Sequence, residues 1–332
     1  MDIRNRSALK QSAAQALSAA PYNPRKLVLI HTGAVAVFSL LLAALDFLLE
    51  NQISGTGGLS GMGTRSILST AQSVLTLLQM AAVPFWQLGY LFTAMRMARR
   101  QPAQPRALLE GFRQFGPLLR TLLLQCVIYL GIGLASYFLC IQIYMMTPWA
   151  NALYDLLFPM MESTTVMSGN LVLDDATLLA LLDAMLPSFI LWLAVFGVLA
   201  CILSYQLRMM NYALLDDPKA GAFAALRASR RMTKGSRTAL FKLDLSFWWF
   251  YGLELLLSVL CYGDVILELL GVTLPFSGTV GYFLFYTLYL AGQIVLYLWR
   301  KNHVEVTYAL AYDSLRESPP QTPAPQKHPW QE

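Results

Sequence analysis

Glu254 places a carboxylate near the middle of the apolar run Leu243 to Tyr262. Hydrocarbon penalises charge, so an ionisable residue there marks either a proton, cation or substrate site or a structural hydrogen bond. In the structural case the partner is a Gln, Tyr or Ser on a neighbouring helix, with the acid protonated. Asp244 lies ten positions earlier, about 15 Å along a helix and about 80° away around its axis. The two carboxylates therefore do not form an acid/base pair, and Asp244 is expected to pair locally beside Lys242. Asp46 precedes Glu50 by one helical turn, which reads as a solvated helix end or as a weak cation site at the outer mouth. Amides recur inside the apolar runs at Gln79, Gln87, Gln125, Gln142, Gln206 and Gln293. Each can make an interhelical hydrogen bond of about 0.6 to 2 kcal/mol, or they can line a polar pathway if they converge. Glu254, Asp46, Gln125 and Gln293 form the candidate substrate- or ion-binding set.

Other chemistry is sparse. The three histidines are His31, His303 and His328, and none has a His or Glu at metal-ligand spacing, so no metal site is expected. His31 stands one turn after Lys26 and Leu27 and is expected to be an interfacial or hydrogen-bonded side chain. Cys126, Cys140, Cys201 and Cys261 sit in apolar runs without a C-x-x-C pair and read as small buried hydrophobes. There is no nucleotide-binding glycine loop, no G-x-S-x-G and no nucleophile-plus-base pair. No cofactor and no catalytic residue are predicted.

The elements that must position these groups are membrane spans. Hydrophobic residues make up 56% of the 332 residues and charged residues only 13%, well below the roughly 25% charge of a soluble domain. Six runs can cross a hydrocarbon core of about 30 Å: Leu27 to Leu49, Thr70 to Met95, Pro117 to Met146, Leu186 to Leu207, Leu243 to Tyr262 and Thr279 to Trp299. Lipid offers the backbone no partners, so these runs must be helices. They lack the ten-residue alternation of a barrel. The expected fold is an all-α membrane protein of six helices, with residues 27–313 as the spanning domain. The first 26 residues lack a signal-peptide core and read as a cytoplasmic amphipathic segment, and the Pro-rich stretch 314–332 as a disordered cytoplasmic tail.

Orientation follows from the basic residues. Of 24 lysines and arginines, all but Arg65 fall in the N-terminal segment, the second-to-third and fourth-to-fifth connections and the tail. This places both termini in the cytoplasm. The opposite side carries Glu50, Asp155, Glu162, Asp174, Asp175, Asp183, Asp264 and Glu268. The net charge of +5 is therefore a topology signal, and nucleic acid is not an expected partner. Basic residues near a membrane surface attract anionic headgroups at about 1 kcal/mol each. The candidate headgroup or interfacial residues are Arg99, Arg100, Arg230, Arg231, Lys234 and Arg237, with Trp248 and Trp249 as aromatic anchors.

The chain also reads as three copies of one hairpin, each led by a basic, weakly amphipathic segment: Ala8 to Lys26, Arg106 to Arg120 and Ala222 to Lys242. The returning spans leave similarly, through Tyr212-Ala213-Leu214 and Tyr308-Ala309-Leu310. The first outer loop is Gly-rich and expected to be flexible. The second, Thr147 to Ala184, is expected to hold a short interfacial helix near Trp149 to Phe158. Asp174-Asp175 reads as the N-cap of a helix entering the fourth span, with Pro187 as a kink.

Ser229-Arg230-Arg231-Met232-Thr233-Lys234-Gly235-Ser236-Arg237 leads into Phe241-Lys242-Leu243-Asp244-Leu245-Ser246-Phe247-Trp248-Trp249. This resembles an uncharacterised family of multi-pass bacterial membrane proteins, common in Gram-positive bacteria and known as a domain of unknown function. The segment Arg6 to Leu17 and the exit Tyr308-Ala309-Leu310-Ala311-Tyr312 look like that family's ends. The resemblance implies a bacterial inner membrane and about six helices, and it transfers no catalytic residue. The outer loops are longer here than in the family. The leading functional expectation is a non-enzymatic component that binds or organises lipids or other membrane proteins. The alternative is a small permease or export component for a lipid, peptide or small solute, using Glu254. An intramembrane enzyme is a third reading and would need Glu254, Asp46 or His31 to converge on one cavity.

Overall fold

The structure, a computed structural model, describes residues 3–55, 62–162, 175–269, 272 and 279–317. In chain order the helices are α1 (Arg6–Ser18), α2 (Pro24–Gly55), α3 (Met62–Ala98), α4 (Phe115–Met145), α5 (Pro148–Glu162), α6 (Asp175–Leu207), α7 (Met210–Asp216), α8 (Ala222–Thr233), α9 (Arg237–Leu245), α10 (Trp248–Leu260), α11 (Gly263–Leu269), α12 (Thr279–Leu296) and α13 (Asn302–Glu317). A single π-helical turn, Tyr297–Lys301, joins α12 to α13. The Gly-rich first loop lies mostly outside the described residues, as do Asp174 and the tail from residue 318. Residues 314–317, assigned by composition to the tail, are the last turn of α13.

The chain is an all-α membrane protein. Among the described residues, five helical stretches are long and apolar enough to cross a membrane: Pro24–Ile53, Ser66–Ala98, Phe115–Met145, Leu179–Asp216 and Val280–Glu317. Arg237–Leu245 with Trp248–Leu260 makes a sixth if the bent pair is counted as one span. Two compact units are present, one of residues Met1–Leu119 with Met209–Glu332, the other of Arg120–Arg208.

In the first unit, α2 shows how the apolar composition is used. Val28, His31, Thr32, Ala36, Ser39 and Leu42 are buried along one side, whereas Val37, Leu41, Leu45 and Leu48 are exposed along the other. Both sets recur at helical spacing, and the exposed stripe is the surface a hydrocarbon solvent would cover. The buried side packs on α3. The segment Pro105–Leu109, a 3₁₀ turn with Ala107 and Leu108 buried, lies against α3. Two glycines permit this approach: a Cβ on Gly89 would meet the Leu108 carbonyl oxygen at 1.9 Å, and one on Gly111 the Phe85 carbonyl oxygen at 2.1 Å.

The fifth apolar run is not the continuous helix expected over Leu243 to Tyr262. It breaks at Ser246 and Phe247, and its halves α9 and α10 meet at 64°. Ser246 tightens the end of α9, its N–H shared between the carbonyls of Lys242 (3.2 Å) and Leu243 (3.0 Å). Its hydroxyl donates to Leu243 O at 2.6 Å. Helix α1 props this break. Lys10 Nζ donates to Ser246 O at 3.0 Å and Arg6 Nη1 to Lys242 O at 3.3 Å, cations placed at the carbonyl end of a helix. Lys10 also lies 4.2 Å from the Phe247 ring centroid. Burial, and then the charges of Arg6 and Arg300, lower its pKa.

In the second unit, Tyr144 Oη on α4 donates to Trp149 O at 3.1 Å and to Ala184 O at 2.8 Å. The α5 helix packs on α6, which runs through Pro187. Trp192 Nε1 donates to Gly133 O at 3.3 Å. The cysteines differ from expectation: Cys140 is buried and Cys261 intermediate, but Cys126 and Cys201 are exposed. A span surface turned toward hydrocarbon keeps a thiol out of water without packing it inside the protein, and periodicity cannot tell the two situations apart.

A polar cavity and an exposed basic face

Within the first unit, α2, α3, α10 and the α12–π–α13 run enclose a cavity of about 430 Å³. Its polar lining includes His31 and Thr32 from α2, Gln87 from α3, Gln293 from α12, and Tyr297 and Lys301 from the π turn. Gln293, Tyr297 and Lys301 recur every four residues, so one side of the helix presents all three. A π turn inside a helix is rare and frequently marks a functional site.

Lys301 is the dominant charge. It is 4% exposed, yet it lies in a run of helix that meets the length and hydropathy of a span. Its ammonium is 3.1 Å from Gln87 Oε1 and 3.5 Å from His31 Nε2. It also stands 4.0 Å from the Tyr297 ring centroid and 5.0 Å from that of Tyr90, cation–π geometry that offsets part of its desolvation. His31 stacks on Tyr90 at 4.7 Å between centroids, and Tyr90 Oη donates to Asn302 Oδ1 at 2.5 Å. Around this centre, Gln87 Nε2 donates to Glu305 Oε1 at 3.4 Å and Tyr297 Oη to Glu254 Oε1 at 2.6 Å.

The expected site residues separate. Glu254 and Gln293 converge on Tyr297, since Gln293 Nε2 donates to the same hydroxyl at 3.5 Å. The bond from Tyr297 is of the kind foreseen for a structural Glu254. Asp46 is elsewhere on α2, with Oδ1 buried and lacking a hydrogen-bond partner among the described residues. Gln125 belongs to the second unit. Asp244 accepts a hydrogen bond from Tyr308, whose hydroxyl in turn receives one from Tyr251 at 3.0 Å. The tyrosine and the helix break dissociate Asp244 from Glu254. No group of three or more His, Cys, Asp or Glu placed to hold a metal occurs among the described residues.

The basic candidates also differ among themselves. Arg99 is drawn into protein contacts: its guanidinium reaches Asp216 at 2.7 Å and Asp313 at 2.6 Å. Asp216 also pairs with Arg316 at 2.5 Å. The hydrogen bonds it donates to Asp313, above all, hold the Arg99 pKa above its ordinary value. Arg100 is exposed and ends α3 with a φ of 55°. On α8, Ala222, Ala225, Leu226, Ser229 and Thr233 are buried, while Phe223, Arg227, Arg230 and Arg231 are exposed. At about 100° per residue the exposed four fall within an arc of about 100°, opposite the buried set. Lys234 and Arg237 continue the exposed basic run, and Trp248 is 67% exposed beyond it. Trp249 and Trp299 pack with ring centroids 5.3 Å apart, and Arg300 lies 5.7 and 5.2 Å from them.

Sequence reasoning missed Lys301. It ended the sixth run at Trp299 and counted Arg300 and Lys301 as flanking charge, but the helix continues to Glu317. The four-residue recurrence Gln293, Tyr297, Lys301 is the signal that could have found it. Gln87 and His31 were singled out without being joined.

Residues 1–318 match the model of a family described as a protein of unknown function, DUF975, and the chain belongs to that family. No curated protein and no solved structure matches the chain.

Proposed function

We propose that this chain is a non-enzymatic, multi-pass component of a bacterial cytoplasmic membrane, with both termini cytoplasmic, that binds and organises anionic lipid. One observation carries the reading: the two-sided α8 helix, which buries small residues and exposes Phe223, Arg227, Arg230 and Arg231 together. An apolar ring beside three guanidinium groups suits a surface lying at the headgroup boundary. Among the described residues Arg227, Arg230 and Arg231 form no ion pair, so their charge is available to lipid phosphate. The all-but-one distribution of lysine and arginine supports the orientation.

The test is lipid analysis after purification from a membrane of mixed phosphatidylglycerol and phosphatidylcholine. Wild type should retain phosphatidylglycerol above its bulk share, and Arg227→Gln/Arg230→Gln/Arg231→Gln should lose most of that enrichment. Equal retention by both proteins would refute the reading.

A permease reading is favoured by a different observation, the hydrogen bonds that link cavity-lining Gln293 and Tyr297 to Glu254. It requires Glu254→Gln to alter uptake or efflux by reconstituted protein. Unchanged fluxes would remove it.

A further inference from the structure

The cavity around Lys301 contains hydrogen-bond donors whose acceptors the protein does not supply. An ammonium has three N–H groups and can only donate. Two of the three on Lys301 point to neutral partners, Gln87 Oε1 at 3.1 Å and His31 Nε2 at 3.5 Å. Because Lys301 donates, His31 Nε2 accepts, and the proton of the neutral ring sits on Nδ1. That atom is buried and lacks a partner among the described residues, as does Thr32 Oγ1. Both residues line the cavity and are more than nine-tenths buried, at 2% and 5% exposure. A buried donor without an acceptor costs about 1 to 3 kcal/mol, and here two accompany a buried cation. The carboxylates that act on Lys301 electrostatically, Glu305 and Glu254, accept hydrogen bonds from Gln87 and Tyr297.

We infer that this cavity is a binding site for an oxyanion, a phosphate or carboxylate group, held by Lys301 Nζ, Thr32 Oγ1 and His31 Nδ1. Lys301 is the charged side chain among the cavity's lining residues; it repels a cation, and it, the Thr32 hydroxyl and the ring N–H all donate. An oxyanion brings both the acceptors and the charge. The volume of about 430 Å³ lies within the usual range of a small-molecule site, so the group can belong to a free anion or to a lipid headgroup entering between the helices. The inference goes beyond the lipid-binding surface proposed above and uses none of its residues.

The experiment uses the full-length chain in a neutral detergent. Inorganic phosphate is titrated calorimetrically, and in parallel native mass spectrometry counts phosphatidylglycerol retained from phosphatidylcholine nanodiscs. Lys301→Met keeps the stem and removes the charge, and it should weaken the bound species about 10- to 100-fold. Thr32→Val is isosteric, leaves the charge in place and should weaken binding about 5- to 10-fold. Phosphate saturation lost in these variants supports a free-anion site. A single retained phosphatidylglycerol lost in the same variants supports a headgroup site. Absence of both ligands from wild type overturns the inference, as does unchanged binding by folded Lys301→Met. Should Lys301→Met fail to fold, Thr32→Val decides, and wild-type affinity in that variant overturns it. The Arg227→Gln/Arg230→Gln/Arg231→Gln protein separates the two readings, because it should lose bulk lipid enrichment yet bind the cavity ligand as wild type does.

Discussion

Arg99 holds Asp313 with a forked contact, its Nε 3.1 Å from Oδ2 and its Nη2 2.6 Å from Oδ1, while its Nη1 reaches Asp216 at 2.7 Å. Three chain segments that follow returning spans are thereby tied together: the end of α3, the end of α7 and the body of α13. Tyr212 and Tyr312 stack beside the cluster at 5.5 Å. The similar exits noticed in the sequence thus pack on one another and share one guanidinium.

Replacing Arg99 by Ala deprives the partly buried Asp313 of its forked partner, while Asp216 keeps Arg316 at 2.5 Å. The expected cost is about 1 to 3 kcal/mol, below that of a fully buried pair because the side chains retain solvent contact. Lysine should rescue little, since a point charge cannot fork between Asp313 and Asp216. Thermal unfolding in detergent checks both variants. A wild-type midpoint for Arg99→Ala would show that the cluster contributes nothing.

Gly89→Ala drives a methyl group into the Leu108 carbonyl oxygen, which sits 1.9 Å from the position a Cβ would occupy. Backbone cannot yield as a flexible side chain does, so overpacking should cost about 1 to 3 kcal/mol. Gly116→Ala, where no atom lies within 4 Å of the added carbon, is the matched control and should be neutral. The difference in unfolding midpoint between the two measures the close approach.

Tyr297→Phe removes the hydroxyl that donates to Glu254 Oε1 at 2.6 Å. Interhelical hydrogen bonds in membranes are worth about 0.6 to 1.7 kcal/mol, and a loss of that size is expected. In the variant Glu254 should also become more reactive toward a hydrophobic carbodiimide, a readout that packing alone would not change. Equal labelling of both proteins would dissociate Tyr297 from control of Glu254.

Removing the prop under the helix break should loosen the break selectively. Lys10→Ala with Arg6→Ala deletes the donors to Ser246 O and Lys242 O. Faster hydrogen exchange is expected through Lys242 to Phe250, with α2 unchanged. Uniform protection across both proteins would mean that α1 merely lies on the surface.

Much of the fold was legible because lipid permits few solutions. Apolar runs about 20 residues long must be helices, and five long helices stand where such runs were read. The break at Ser246 was not legible, since the cations that meet its carbonyls, Lys10 and Arg6, come from more than two hundred positions away. The site was half legible. Glu254 and Gln293 were marked by their polarity in apolar surroundings, and they do meet at Tyr297. Lys301 was hidden by its position: a lysine after Trp299 looks like a flanking charge, and only tertiary packing buries it against His31 and Gln87. Arg99 shows the converse, a residue read as facing lipid that instead binds two aspartates.

The central claim is that the exposed arginines of α8 recruit anionic lipid. Its most direct measurement is the phosphatidylglycerol-to-phosphatidylcholine ratio that co-purifies with wild type and with Arg227→Gln/Arg230→Gln/Arg231→Gln from one mixed membrane. At about 1 kcal/mol per basic residue near the surface, wild type should be enriched several-fold or more over bulk, and the variant should approach the bulk ratio. A wild-type ratio equal to bulk, or an unchanged ratio in the folded variant, would contradict the account.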